Sequence, residues 1–155
     1  MDHHDVLRLD QQVCFPLYSL SRQVTQAYQP LLKPLGLTYP QYLVMLVLWQ
    51  AQQESRLPLA VNDLCRELWL DTGTVTPLLK RMEARQWLTR QRSQQDERRV
   101  LVDLSNEGKA LRQAAESIPQ QLMCQLQASG EELTQLRQLL QRWQQQLSEL
   151  GNLSE

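Results

Sequence analysis

Apolar residues recur along most of this chain at the three- and four-residue spacing of a helix. Val13, Leu17, Leu20 and Val24 form one such stripe. "KPLGLTYPQ" (Lys33 to Gln41), with two prolines and a glycine, interrupts it. Tyr42 to Gln50 is apolar nearly all round and predicts a buried helix. The polar stretch "QQESRLP" (Gln52 to Pro58) reads as a loop, and Val61, Leu64 and Leu68 as a short helix. "WLDTG" (Trp69 to Gly73) is a tight turn, followed by a helix over Thr74 to Trp87. That helix takes Asp71 or Thr72 as its cap and holds Pro77 in or just after its first turn. Alternation then replaces the helical period. "WLTRQR" and "VLVDL" predict two strands joined by the charged loop "SQQDERR" (Ser93 to Arg99).

The remainder predicts two helices. Pro119 kinks or interrupts the first. The second starts at the capping box Ser129-Gly130-Glu131-Glu132 and carries Leu133, Leu136, Leu140, Trp143, Leu147 and Leu150 at helical spacing. The expectation is a mainly α protein with one β-hairpin, a single chain spanning 1–155.

Composition narrows the function. The longest apolar run, Tyr42 to Trp49, falls short of the ~20 residues of a membrane span, and no secretory signal is visible. A cytoplasmic protein with no membrane association is expected. Cys14, Cys65 and Cys124 are odd in number and widely spaced, which excludes a disulfide scaffold and a CxxC metal or redox motif. His3 and His4 lack a third ligand nearby and read as solvated, so no metal and no cofactor is expected.

Net charge is −1, but its distribution is uneven. Between Thr72 and Val100 seven basic residues (Lys80, Arg81, Arg85, Arg90, Arg92, Arg98, Arg99) face three acids, giving +4 there and −5 elsewhere. Local positive charge on one face suits a polyanion, although exposed helix faces also carry basic residues with no partner.

Helix, turn, helix and charged hairpin, over 58–104, is the layout of a winged helix-turn-helix. A major groove ~12 Å wide admits a helix whose N-terminus offers short polar residues, as "DTGTVTP" does. A hairpin tipped by arginine fits the minor groove.

Cys14 poses a separate question. As a helix cysteine it reads as a small core residue. As a thiol near a helix start capped at Asp10, it stands where backbone donors favour a thiolate, the form that attacks peroxide. Tyr18, one turn on, is within reach of the sulfur. Tyr28, fourteen residues along, stands ~21 Å away on a straight helix and needs a chain reversal or a second chain to return. Pro16 implies that the helix starts nearer Phe15 or kinks.

"LTYPQYLVMLVLW", "LDTGTVTPLLKRME" and "DERRVLVDLSNEG" together resemble the MarR family of dimeric winged-helix repressors. "CFPLYSLSRQVTQAYQPLLKPLGLTYPQY" is similar to its OhrR branch, which senses organic hydroperoxides. The resemblance implies a homodimer built by N- and C-terminal helices (10–50 and 106–150) on pseudo-palindromic double-stranded operator DNA. It places Thr72, Gly73, Thr74, Thr76, Pro77 and Arg81 on the recognition helix or its entry and Arg98 in the minor groove. Asp96 would hold that arginine, against the simpler reading of a turn acid.

The resemblance also makes Cys14 the peroxide-sensing thiol, with Tyr18, Tyr28 and Tyr39 around it across the dimer interface. Cys124 corresponds to the resolving cysteine of two-cysteine members, against simple packing beside Leu122 and Met123, and Cys65 stays structural. Three rivals remain: a thiol peroxidase, a MarR-type repressor answering a small phenolic ligand, and a helical interaction module that binds no DNA.

Overall fold

The computed structural model describes residues 6–152; His3 and His4 lie outside them. The chain divides into two units, Met1–Ile118 and Pro119–Glu155. In the first, a 3-10 turn at Leu9–Gln11 precedes α1 (Cys14–Leu32), and another at Lys33–Leu35 leads to α2 (Tyr39–Gln53). Gly36, at φ +69°, closes the connection, and a Cβ there would stand 2.5 Å from Arg85 Nη2. Glycine meets the left-handed backbone without strain and leaves Arg85 its place.

Thr38 and Gln41 form a capping box at the start of α2 that the sequence reading did not list. Tyr42, Val44, Met45, Val47, Leu48, Trp49 and Ala51 are all buried, as the apolar run predicted. The reason is position: α2 packs against α1, α3, α4, α5 and β3.

Next come β1 (Leu59–Ala60), α3 (Val61–Leu68), α4 (Thr72–Ala84), β2 (Leu88–Arg92), β3 (Val100–Leu104) and α5 (Asn106–Ala115). The predicted pair of strands is part of an antiparallel sheet of three, ordered β1-β3-β2. β1 pairs Leu59 with Val102 and Ala60 with Leu101; two residues are too few to show a period. The predicted two-helix tail is three helices: α5, α6 (Ile118–Leu126) and α7 (Gly130–Asn152). Pro119 therefore interrupts rather than kinks, standing second in a new helix where its missing N–H costs nothing.

One latch fixes the foot of the hairpin. The Ser105 hydroxyl donates to the Gln86 carbonyl at 2.5 Å, and its oxygen accepts from the Gly108 N–H at 2.9 Å. Trp49 Nε1 donates to the Gly108 carbonyl at 2.8 Å. A Cβ on Gly108 would lie 1.9 Å from the Trp87 carbonyl oxygen, so this crossing requires glycine.

In the second unit the Ser129–Glu132 box is formed: Glu132 N–H donates to Ser129 Oγ at 3.2 Å and Ser129 N–H to Glu132 Oε2 at 2.9 Å. Among the described residues no single helix is long and apolar enough to cross a membrane.

Candidate nucleic-acid interface and thiol site

α4 is split lengthwise. Val75, Leu78, Leu79 and Met82 are buried, while Thr72, Gly73, Thr74, Pro77, Lys80 and Arg81 are exposed and Thr76 is half-buried. Asp71, not Thr72, caps it, accepting from the Thr74 N–H at 2.8 Å and the Thr74 hydroxyl at 3.1 Å. Those donors hold the Asp71 carboxyl below the usual carboxylate range. Because its proton is committed to Asp71, Thr74 offers a partner only its methyl and oxygen lone pairs. Pro77 is the sixth helical residue and does not break α4.

The wing tip is organised by short-range bonds. Ser93 Oγ accepts from the N–H groups of Gln95 and Asp96 at 3.2 and 3.3 Å. Asp96 Oδ1 accepts from the Arg98 N–H at 3.1 Å and from Arg98 Nε at 3.3 Å. Asp96 thus holds both ends of Arg98, whose side chain is 93% exposed. Arg99 lies 3.9 Å from Asp63 of α3. A cleft of about 190 Å³ between the start of α3, α4 and the wing is lined by Asn62, Thr72, Thr76, Arg90, Arg98 and Arg99. The fold therefore gathers Thr72, Thr76 and Arg98 on one concave, cationic surface.

Sequence reasoning missed Glu83. It accepts from Arg90 of β2 at 2.8 Å (Nη2), 3.0 Å (Nε) and 2.9 Å (backbone N–H). No sequence pattern marks a pair seven residues apart on a helix and a strand.

Cys14 is the first residue of α1 and is exposed. The expected cap at Asp10 is absent: the residue before the helix is Val13, which makes no side-chain cap bond. Asp10 belongs instead to the 3-10 turn, where Arg8 donates to its two oxygens at 3.0 and 2.8 Å. Pro16 stands third in the helix, among positions whose N–H groups have no intrahelical acceptor, so α1 runs unbroken. Leu9, Val13 and Phe15 surround the start of α1 with exposed apolar surface.

Tyr18 is exposed with the Arg22 guanidinium 5.8 Å from its ring centre. Tyr28 and Tyr39 meet each other, 4.9 Å between ring centres, and both meet Tyr42, at 5.6 and 6.4 Å. Tyr42 was not among the residues expected here; its i, i+3 spacing from Tyr39 on a helix was the available signal. Burial raises all three phenols, Tyr42 to about 12. Cys65 is buried in the first unit, and burial pushes its thiol up, away from the reactive thiolate. Cys124 lies on α6 and is exposed. Among the described residues no group of three or more His, Cys, Asp or Glu is arranged to hold a metal ion.

A family model described as transcriptional regulator SarA/Rot matches residues 26–115. The organic hydroperoxide resistance transcriptional regulator of Bacillus subtilis is 44% identical over 136 residues, covering 88% of this chain and 89% of that protein. Among solved structures, reduced AbfR bound to DNA aligns at TM-score 0.76 and 33% identity over 92% of this chain and 96% of that one. Disulfide-formed AbfR aligns at 0.58 and 34% over 88% and 92%. AbfR comes from Staphylococcus epidermidis.

Proposed function

We propose that this chain, which belongs to the SarA/Rot transcriptional regulators, a MarR-like winged-helix family, is an operator-binding repressor that releases DNA when an organic hydroperoxide oxidises Cys14. The observation that carries the reading is the contrast among the thiols. Cys14 is exposed at the first position of a helix beside the apolar side chains of Leu9, Val13 and Phe15, whereas Cys65 is buried. The names of the Bacillus subtilis relative and of the reduced and disulfide-formed AbfR structures support it.

The DNA-binding part is residues 58–104. Thr72, Gly73, Thr74, Thr76, Pro77 and Arg81 face the major groove, and Arg98, held by Asp96, enters the minor groove. Two copies, joined through 10–50 and 106–150, present two such heads to a pseudo-palindromic duplex. The exposed apolar residues Val13, just before α1, Phe15 and Leu20 of α1, and Leu136, Leu140, Leu147 and Leu150 of α7 supply apolar surface for pairing.

In the sensing step the Cys14 thiolate attacks the terminal peroxide oxygen. The O–O bond breaks, an alcohol leaves after taking a proton, and Cys14 becomes a sulfenic acid. The apolar surroundings of Cys14 favour an organic peroxide over hydrogen peroxide. Cys124 of a second copy then displaces water to form a disulfide, with Tyr18, Tyr28 and Tyr39 shaping the pocket across the interface. Drawing the two Cα atoms to within ~7 Å moves the heads out of register with the half-sites.

The experiment is anisotropy on a duplex selected by the reduced protein from a randomised pool, before and after cumene hydroperoxide. Cys14→Ser stays bound after treatment. Cys124→Ser loses the linked dimer on a non-reducing gel, and Cys65→Ser behaves as wild type. Release of Cys14→Ser at the dose that releases wild type would end the Cys14 reading, and a wild type that hydroperoxide does not release would favour a repressor controlled by a phenolic ligand.

A further inference from the structure

A winged head reads two grooves at once only if its wing stands at a fixed angle to its recognition helix. β2, which leads into the wing, is an edge strand, and the outward N–H groups of an edge have no strand partner. The Arg90 N–H is taken by Glu83 Oε1 at 2.9 Å, while Arg90 Nε and Nη2 fork onto Glu83 Oε2 at 3.0 and 2.8 Å. Both carboxylate oxygens, near the end of α4, are thus engaged by one residue in the middle of β2. Forked, charge-assisted contacts are directional as well as attractive. The Arg90 hydrogen bonds also hold the Glu83 carboxyl below the usual carboxylate range, keeping it ionised.

Electrostatically the arrangement is costly for a DNA-binding surface. Arg90 lines the cationic cleft with Arg98 and Arg99, and Glu83 cancels its charge. A surface built only for phosphate attraction would leave Arg90 unpaired.

From this geometry we propose that Glu83 is a positioning residue: by clamping Arg90 it sets the wing against α4 and gives operator selectivity at the expense of general DNA affinity. The proposal rests on the DNA-binding reading above and adds to it the residue that tunes specificity.

The test uses the full-length reduced protein, the duplex that wild type selects from a randomised pool, and a scrambled duplex of the same composition. Glu83→Gln removes a negative charge, so attraction alone predicts tighter binding to both duplexes. Loss of positioning predicts about fivefold weaker binding to the selected duplex, the size of a good surface ion pair, with scrambled binding unchanged or tighter. Arg90→Lys, which keeps the charge but loses the fork, shifts selectivity the same way. In an Arg98→Ala background, where the wing has no tip contact to misplace, Glu83→Gln has no further effect on selectivity.

Equal loss on both duplexes would make Glu83 merely structural and overturn the proposal. So would equal gain on both, unchanged selectivity, or an undiminished effect without Arg98. A wild type that enriches no sequence would overturn the DNA reading, and this inference with it.

Discussion

The winged head and the terminal helices solve the same problem in opposite ways. In residues 59–104 the apolar face of each helix is covered within the chain: Leu64, Val75, Leu79, Met82 and Val102 are all fully buried. The polar face is ordered too, by Asp71 at the cap, Asp96 at the wing tip and Glu83 between helix and wing. α7 is the reverse. Leu147 and Leu150 are 66% and 60% exposed, and Leu136, Leu139 and Leu140 are exposed as well. A helix with that stripe gains little in water and much against another apolar face. The head is complete in one chain, and α7 has its apolar face still to cover.

The most damaging change therefore lies outside the head, in α7. Leu140→Glu with Leu147→Glu puts charge into the stripe without touching the head. If pairing couples two heads, the double variant sediments as a monomer and binds the selected duplex about 10²–10⁴-fold more weakly, the scale of lost bivalency. Its head remains folded by near-ultraviolet circular dichroism. A variant that stays dimeric and binds normally would break the comparison at its base.

The second expected effect acts on the head alone. Leu79 is fully buried. Leu79→Ala leaves a cavity and costs about 2–5 kcal/mol in denaturant unfolding. Leu139→Ala, on the exposed stripe, changes monomer stability by less than about 0.5 kcal/mol. Similar losses at the two sites would mean that α7 is covered within its own chain.

The head was also the more legible region. A period of 3.6 giving way to alternation marked α4 and both wing strands, because local pattern and tertiary burial agree there. The pairing of Asp96 with Arg98, which the resemblance implied, is formed in the structure. What escaped was non-local or very short. β1 is two residues long, and the Glu83–Arg90 clamp joins a helix to a strand. At the start of α1 the sequence reading misplaced the cap, because the Asp10 carboxylate is engaged by Arg8. Of the two readings of Pro16, a later helix start or a kink, the structure has the later start: α1 begins at Cys14, and Pro16 in third position asks nothing of its missing donor. Tyr28 was expected to need a second chain or a chain reversal to return to Cys14; the tyrosines it meets in the structure, Tyr39 and Tyr42, are on α2.

A smaller effect separates the wing from the rest of the head. The Arg98 side chain is almost wholly exposed, so Arg98→Ala leaves unfolding unchanged. If Arg98 enters the minor groove, its removal costs about 1–3 kcal/mol of operator binding, about tenfold or more in affinity. Affinity equal to wild type would remove the wing from the interface and leave α4 to bind alone.

The smallest effect, absent at neutral pH, divides the two regions by the sign of their pH dependence. Glu83 and Asp71 in the head have carboxyl pKa values lowered chiefly by hydrogen bonds from Arg90 and Thr74. An acid with a lowered folded pKa contributes stability that is present above its unfolded value and lost as pH falls. The head therefore loses stability on the acid side, below about pH 4.5, the ordinary value for a glutamate. The tyrosine cluster between α1 and α2 behaves oppositely. Burial raises Tyr42 from 10 to about 12, so the folded protein holds the phenol proton more tightly than the unfolded chain. That contribution is complete below pH 10 and lost as pH rises through about 12. Thermal unfolding from pH 8 to 12, followed with tyrosinate absorbance, reads it directly. Tyr42→Phe keeps the ring packing, removes one of three raised phenols and makes the alkaline limb shallower while leaving the acid limb as it was. Glu83→Gln softens the acid limb only. If Tyr42→Phe leaves the alkaline limb as steep as wild type, Tyr42 does not carry it, and the phenols of Tyr28 and Tyr39, which burial also raises, are the ones that do.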